Sequence, residues 1–459
     1  MQQQINLKIT GIRPLLSLVK SILSSKSNIA NTVRTMLFSI IILLINMLTG
    51  IITARFLGPT GRGEQAAMVL WSQFLAFSFT FGIPSALIYN IKKNIKDAAK
   101  LYTAALWMGL AAGAIAMGVG VMALPYWLRS YSDSVILFSQ FSMLFVPLIV
   151  FSQINNAMMQ VRGEYKLYNR MRFLVPLSTL VVLGVLIVTG TMSAHLSAVA
   201  YLAPAIPFYI WTTWRLIRIY GVVIKDSLRS FKQLITYGLG SYGNDLMGNV
   251  SYYIDQIIIV GLLNPAQLGL YAVAVSLSRV VNVFSTSIIV VLFPKASGLS
   301  KDEVIPLTFR VFRISTCIAI LTSILIMLLA PLVLTLLYGP EFQEALHVFR
   351  LLLLEVSISG GTMVLAQAFM ALGKPKIVTI LQGLGLLLVV PMLTLLVPRY
   401  GLTGAGIAML SSVVIRFMFI LLNVKFTLKM KIPNLLITME DIRWLISALS
   451  AYRGKKNSA

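Results

Sequence analysis

Residues 51–66 read Ile51-Ile-Thr-Ala-Arg-Phe-Leu-Gly-Pro-Thr-Gly-Arg-Gly-Glu-Gln-Ala66, and residues 257–272 read Ile257-Ile-Ile-Val-Gly-Leu-Leu-Asn-Pro-Ala-Gln-Leu-Gly-Leu-Tyr-Ala272. At a constant offset of 206 residues, Ile51, Ile52, Leu57, Pro59, Gly63, Ala66, Val69 and Ser72 each meet an identical residue. Further along, Pro84 and Ala86 match Pro294 and Ala296, and Gly163 matches Gly373. Leu196-Ser-Ala-Val-Ala200 also resembles Gly404-Ala-Gly-Ile-Ala408. Single apolar matches are common in apolar sequences, but an ordered series with the same Pro and Gly turns marks an internal duplication.

The duplicated unit is a set of apolar stretches. Their expected spans are 33–57, 66–91, 101–127, 134–158, 173–192, 196–217, 234–263, 268–293, 311–338, 345–371, 377–397 and 402–424. A run of about 20 apolar residues at about 1.5 Å each crosses the hydrocarbon core. Hydrophobic residues make up 58% of the chain and charged ones 11%, and no gap between spans has room for a soluble domain. The fold expected is therefore an all-α polytopic membrane protein with about 12 transmembrane helices. Six spans separate the copies, and six is even, so both copies share one orientation. Parallel repeats related by an axis along the membrane normal place a substrate site between them. The expectation is two pseudo-symmetric six-helix bundles around a central cavity. The bundles cover 33–220 and 234–425 and are joined by a linker at 221–233.

Charge fixes the orientation. The net charge of +24 would suggest nucleic acid in a soluble protein. Here 31 of the 38 Lys and Arg fall in the N-terminal tail, the even-numbered connections and the C-terminal tail. The opposite side carries Arg55, Arg62, Arg129 and Arg399. The positive-inside rule then puts both termini in the cytoplasm. The tails, 1–32 and 426–459, read as interfacial segments against an anionic inner leaflet. In the second, Thr438 caps a helix with Asp441 three residues on, and Ile442, Leu445, Ile446 and Leu449 form its apolar face. Cys317 is the single cysteine, so no intrachain disulfide is available.

Several motifs resemble the polysaccharide-transporter (Wzx-like) family. They are Ala54-Arg-Phe-Leu-Gly-Pro-Thr-Gly-Arg-Gly63, Tyr253-Ile-Asp-Gln-Ile-Ile-Ile-Val260, Leu268-Gly-Leu-Tyr-Ala272, Leu337-Tyr-Gly-Pro-Glu-Phe342, Ala371-Leu-Gly-Lys-Pro375 and Tyr400-Gly-Leu-Thr-Gly-Ala405. The resemblance covers nearly the whole chain. It implies membership of the multidrug/oligosaccharidyl-lipid/polysaccharide exporter superfamily and the two-bundle fold. It also implies flipping of a polyprenyl-diphosphate-linked oligosaccharide from inner to outer leaflet for O-antigen or exopolysaccharide assembly. By the same resemblance the setting is a bacterial or archaeal plasma membrane, and other polysaccharide-assembly proteins are expected partners.

Polar residues inside the expected spans mark candidate sites, because an intramembrane charge costs about 2.5–3.5 kcal/mol on insertion scales. Arg279, Asn46, Asn244, Asn249 and Tyr252 are candidates for lining the cavity. Asp245, Asp255 and Glu355 are candidates for coupling to a proton or sodium gradient. Arginine suits a diphosphate because its planar fork stays charged and binds two oxygens at once. Two readings of Arg279 stand: it faces the cavity, or it pairs with Asp255 and locks spans seven and eight together. Glu355 likewise either pairs with Arg350 or a hydroxyl, or titrates. Gly238, Gly240, Gly243 and Gly248 make span seven the glycine-densest, so bending is expected there.

Enzymatic constellations are missing from the sequence. His195 and His347 are far apart, no P-loop occurs, and one cysteine supports neither a thiol nor a metal site. No catalytic residue, metal or bound cofactor is expected. A cation antiporter of the same superfamily needs an acidic cavity, which Arg279 and Arg350 oppose. A membrane glycosyltransferase or polymerase needs a large external loop, which the chain lacks.

Overall fold

The computed structural model describes residues 28–223, 227–282, 299–441, 443–444 and positions 285, 286, 288, 289, 292 and 296. Residues 1–27 of the first tail and the apolar face of the last helix, Ile442, Leu445, Ile446 and Leu449, lie outside the described residues. Among the described residues the protein is built of helices, with no strand. The helices are α1 (Asn28–Ser78), α2 (Ile83–Lys93), α3 (Ala98–Trp127), α4 (Asp133–Ser142), α5 (Val146–Val161), α6 (Tyr165–Val188), α7 (Ala194–Leu202) and α8 (Ile206–Tyr220). They continue with α9 (Ser227–Leu262), α10 (Pro265–Ser278), α11 (Lys301–Val333), α12 (Leu346–Ala371) and α13 (Pro375–Phe426).

Eight helical stretches among the described residues are long and apolar enough to cross a membrane. Two exceed one crossing: Thr35–Lys93 and Pro375–Phe426. Each turns at a glycine, Gly58 at φ 65° and Gly401 at φ 56°. A side chain at that left-handed φ is strained, so glycine is what lets the chain reverse there, and proline follows at position 59. Polar residues keep α9 out of the apolar set. The twelve-crossing count needs both kinked helices to cross twice, and α9 and the span that begins with the shorter apolar helix Pro265–Val281 to cross once each.

The helices pack in two groups. In the first, α1 packs on α6 and α7, α3 on α5, and α5 on α2 and α8. In the second, α12 packs on α11 and α13, and α9 on α13. Large apolar side chains point outward: Trp107, Met122, Val188, Leu328 and Leu387 are all exposed. In water that would be an aggregation surface; around helices of this length it is the surface that meets lipid. The protein is a multi-pass membrane protein.

The sequence repeat recurs as matched local structure. Helices α5 and α12 both end at the paired glycines, Gly163 and Gly373. The next amides, of Glu164 and Lys374, donate back to the carbonyls of Met159 and Phe369 at 2.9 and 2.8 Å. This is the same six-residue closure in each half. Helix α9 is a continuous helix, without a break at its glycines.

Candidate functional site between the two helix groups

The two copies of the opening motif meet face to face. Helix α10 packs along α1, and glycines stand at the crossing. A Cβ added to Gly63 would lie 1.7 Å from the Pro265 carbonyl oxygen, and one added to Gly269 would lie 2.0 Å from that of Pro59. The contact is reciprocal, each copy's glycine receiving the other copy's proline turn. A pseudo-two-fold axis therefore passes between them. Close backbone approach of this kind is possible only with glycine at both positions.

At the opposite, basic end, side chains of α9 touch α2 and the last turn of α1. Ser85 Oγ donates to Asp245 Oδ2 at 3.0 Å. Tyr89 and Tyr237 stack with ring centroids 4.1 Å apart. Tyr242 donates to the Ser78 carbonyl at 2.6 Å. Asn249 Nδ2 donates to Ser78 Oγ at 2.7 Å and to the Phe74 carbonyl at 3.2 Å. Gly238 approaches the Phe81 carbonyl, which is where α9's glycine density has a packing reason.

Between these two closures lies a trough of three adjoining cavities of about 260, 300 and 390 Å³. The first and second share Gln73, Tyr201 and Tyr253. The second and third share Tyr252, Val275 and Arg279. Arg279 sits at that junction. Its guanidinium carbon lies 4.1 Å from the centroid of the Tyr252 ring, and its Nη2 donates to the Tyr252 carbonyl at 3.2 Å. Stacking on an aromatic face holds a guanidinium in place while leaving its remaining donors free.

The structure sorts the predicted residues. Asn46, Tyr252 and Arg279 line the central cavity together. Asp255 and Glu355 line the third cavity with Arg279 and Arg416. Asp245 and Asn249 face the seam contacts at the basic end. Asn249 is spent on the first helix group, so it does not reach back to Asp245. Asn244 lies in α9; its side chain lies outside those described. Arg279 and Asp255 share a cavity but form no ion pair among the described residues. Asp255 Oδ2 instead accepts from the Tyr271 hydroxyl at 2.9 Å, and its Oδ1 is buried without a partner. Glu355 is buried and points into the same cavity as Arg416 rather than pairing with Arg350.

Sequence reasoning missed Arg62. It sits past the Gly58 turn, where a basic residue reads as external loop, but it lines the central cavity with Gln65 and Asn46. Its Nη1 donates to Gln65, and its Nε is buried with no partner. The repeat held the clue. The turn that carries Arg62 packs against its own copy on the pseudo-axis, and residues on such an axis face the shared cavity. Gln73, the counterpart of Arg279 at offset 206, lines the same cavity.

The sequence profile described as "Polysaccharide biosynthesis protein" matches residues 52–347, more than half of the chain. Two curated proteins are similar at 24% identity. One is the capsular polysaccharide biosynthesis protein CapF of Staphylococcus aureus, over 206 residues, 44% of this chain and 52% of that protein. The other is a putative O-antigen transporter of Shigella flexneri, over 189 residues, 39% of this chain and 44% of that protein. The chain thus spans about half the length of the curated relatives it matches. Among solved structures, the lipid II flippase MurJ in an inward closed conformation aligns with a TM-score of 0.73. That alignment has 11% identity and covers 85% of this chain and 87% of that one. An inward-facing multidrug resistance MATE transporter aligns at 0.66 and 16% identity, covering 85% and 96%. At these identities the structures establish the fold: this chain has the MurJ/MATE transporter architecture.

Proposed function

The chain belongs to the polysaccharide biosynthesis protein family, and from that premise we propose that it flips a polyprenyl-diphosphate-linked oligosaccharide across a bacterial or archaeal plasma membrane. Twelve crossings, 33–220 and 234–425 as the two bundles, and cytoplasmic termini complete this reading. The observation that carries it is the pair of guanidinium groups on the central cavity, Arg62 and Arg279, with Asn46 and Tyr252 beside them. Arg62 keeps a buried N–H donor unpartnered, and Arg279 is held by stacking rather than by a counter-ion. Two preorganised cations with free donors fit a diphosphate, which accepts several charge-assisted hydrogen bonds at once.

Asp255 and Glu355 are the proposed gradient-coupled groups. They lie off the central cavity, where a bound proton or sodium ion would be felt by Arg279 through their shared cavity. The names of the two curated relatives and the lipid II flippase fold support a lipid-linked substrate. The MATE neighbours raise a second reading, export of small cations. Three arginines against two carboxylates across the central and third cavities oppose it.

The test is transport into ATP-free proteoliposomes with an undecaprenyl-diphosphate-linked glycan, with and without an imposed proton or sodium gradient. Gradient-stimulated translocation is expected. Strict ATP dependence with no gradient effect would refute the coupling, and no translocation under any gradient would refute the reading itself.

A further inference from the structure

The three parts of the trough differ in charge. Among the described residues, the cavity on the side of the first helix group is lined by no Lys, Arg, Asp or Glu. Its lining is apolar, part aliphatic and part aromatic, and its polar groups are the hydroxyls of Tyr201, Tyr209 and Tyr253 and the amides of Gln73 and Gln153. The central part holds Arg62 and Arg279, and the part in the second group holds Asp255, Glu355, Arg279 and Arg416. Such sorting is not required by packing, since the two groups are built from a repeated sequence.

A sugar linked to a diphosphate is itself sorted. Its phosphates are anionic, whereas a neutral pyranose has apolar C–H faces and hydroxyls that seek neutral partners. Aromatic rings match the first and carboxamides the second. Charged groups gain nothing from a neutral ring, and an acidic sugar placed here would be desolvated without a counter-ion. The cavity, at about 260 Å³, falls just under the roughly 300–1,000 Å³ of small-ligand sites, so it suits one ring rather than a chain. Tyr253 and Gln73 form its border with the arginines, the tyrosine hydroxyl lying 3.4 Å from Gln73 Oε1. Gln153, on α5, makes no side-chain hydrogen bond among the described residues, so its amide is available.

We propose that this cavity is a subsite for a neutral sugar, the ring joined to the diphosphate, with Tyr201 stacking on it and Gln153 hydrogen-bonding its hydroxyls. The assignment rests on the lipid-linked-oligosaccharide reading above. It adds that selection for an uncharged first ring is made by the first helix group, while the anion is held at the centre.

The test measures binding to the purified full chain in nanodiscs with three probes: farnesyl diphosphate, its glucosyl derivative and its glucuronyl derivative. Wild type should bind the glucosyl probe about tenfold more tightly than farnesyl diphosphate, the sum of a ring stack and an amide bond. The glucuronyl probe should show no such gain. Gln153→Ala should erase most of the glucosyl gain and leave farnesyl diphosphate unchanged, and Tyr201→Ala, whose ring also borders the central cavity, should erase most of the glucosyl probe's advantage over farnesyl diphosphate. Gln153→Arg should turn the preference toward the glucuronyl probe. Arg279→Ala should weaken all three. Equal binding of the three probes by wild type would overturn the subsite, and that arm needs no variant to fold. A glucosyl gain that survives both alanine variants would also overturn it. Failure of farnesyl diphosphate to bind, or its indifference to Arg279→Ala, would instead overturn the diphosphate reading on which the subsite rests.

Discussion

At the scale of residues, the fate of Arg279 turns on what it touches. A partner in a buried ion pair leaves an orphaned charge when removed, at about 3–5 kcal/mol. Arg279 is stacked on Tyr252 and has no ion pair with Asp255 among the described residues, so Arg279→Ala should leave protein level near that of wild type. Its effect should fall on substrate, as a roughly ten- to hundredfold loss of affinity for a diphosphate, the value of a charge-assisted bond or two. Arg279→Lys keeps the charge but not the planar fork, so it should recover only part of that loss. Detergent-solution thermal stability beside diphosphate binding checks both halves; a large fall in melting temperature for Arg279→Ala would return the residue to a structural role. The sequence made Arg279, Asn46 and Tyr252 visible because each is polar within an apolar stretch. It hid Arg62, because a basic residue just beyond a span end reads as loop. Only the kink at Gly58 and the packing of two proline turns bring it over the cavity.

At the scale of elements, the repeated motif predicts its own weak point. A methyl group at Gly63 or Gly269 meets backbone carbonyl, which cannot swing aside as a side chain would. Gly63→Ala should therefore separate α1 from α10 at that end and cost about 1–3 kcal/mol, the usual range for overpacking. Cross-linking of paired cysteines at Thr60 and Asn264, both exposed, should drop in the variant; unchanged cross-linking would mean that the helices do not meet there in the membrane. The last segment makes a second prediction. Asp441 is fully buried, accepting from Arg313 Nε and Nη2 at 2.6 and 2.7 Å, from Arg310 Nε at 3.3 Å, and from the Thr438 amide and hydroxyl. The Arg313 hydrogen bonds foremost hold its carboxyl well below the usual carboxylate range. A depressed folded-state pKa gives stability that is present above the unfolded value, about 3.9, and is lost as pH falls through the folded one. Docking of residues 434–441 on α11 should thus persist from neutral pH to about pH 4 and fail only in stronger acid. Asp441→Asn should loosen it at neutral pH, where the carboxylate is ionised, read as faster tryptic cleavage after Lys431. The Thr438 cap was legible from spacing alone. Its anchor was not, because Arg310 and Arg313 lie more than a hundred positions away and nothing local pairs them with Asp441.

At the scale of the whole molecule, both ends of the seam are engaged at once. Proline turns and glycines join the groups at one end, and Ser85–Asp245, Tyr89–Tyr237 and the Tyr242 and Asn249 bonds join them at the other. The contacts differ in kind. The first is shape fitted to shape, and the second is a set of hydrogen bonds and a ring stack that can break and reform singly. If the groups rock as rigid bodies about the trough, each end must open while the other stays shut. Removing one seam partner should then lengthen only its own end. Spin labels at Lys93 and Lys232 report the basic end, and labels at Thr60 and Asn264 report the other. Asp245→Ala deprives Ser85 of its acceptor, so it should broaden the Lys93–Lys232 distance toward longer values while Thr60–Asn264 stays short. Gly63→Ala should do the reverse, because its clash lies at the proline turns. Joint lengthening of both distances in either variant would mean that the two groups part as a whole, and rocking about a fixed cavity would be wrong. The duplication made the pseudo-symmetric pairing at Gly63 and Gly269 foreseeable. The opposite closure was not, since at the repeat offset of 206 Ser78 and Ser85 meet the apolar Phe284 and Val291, and the partners on α9 come from packing alone.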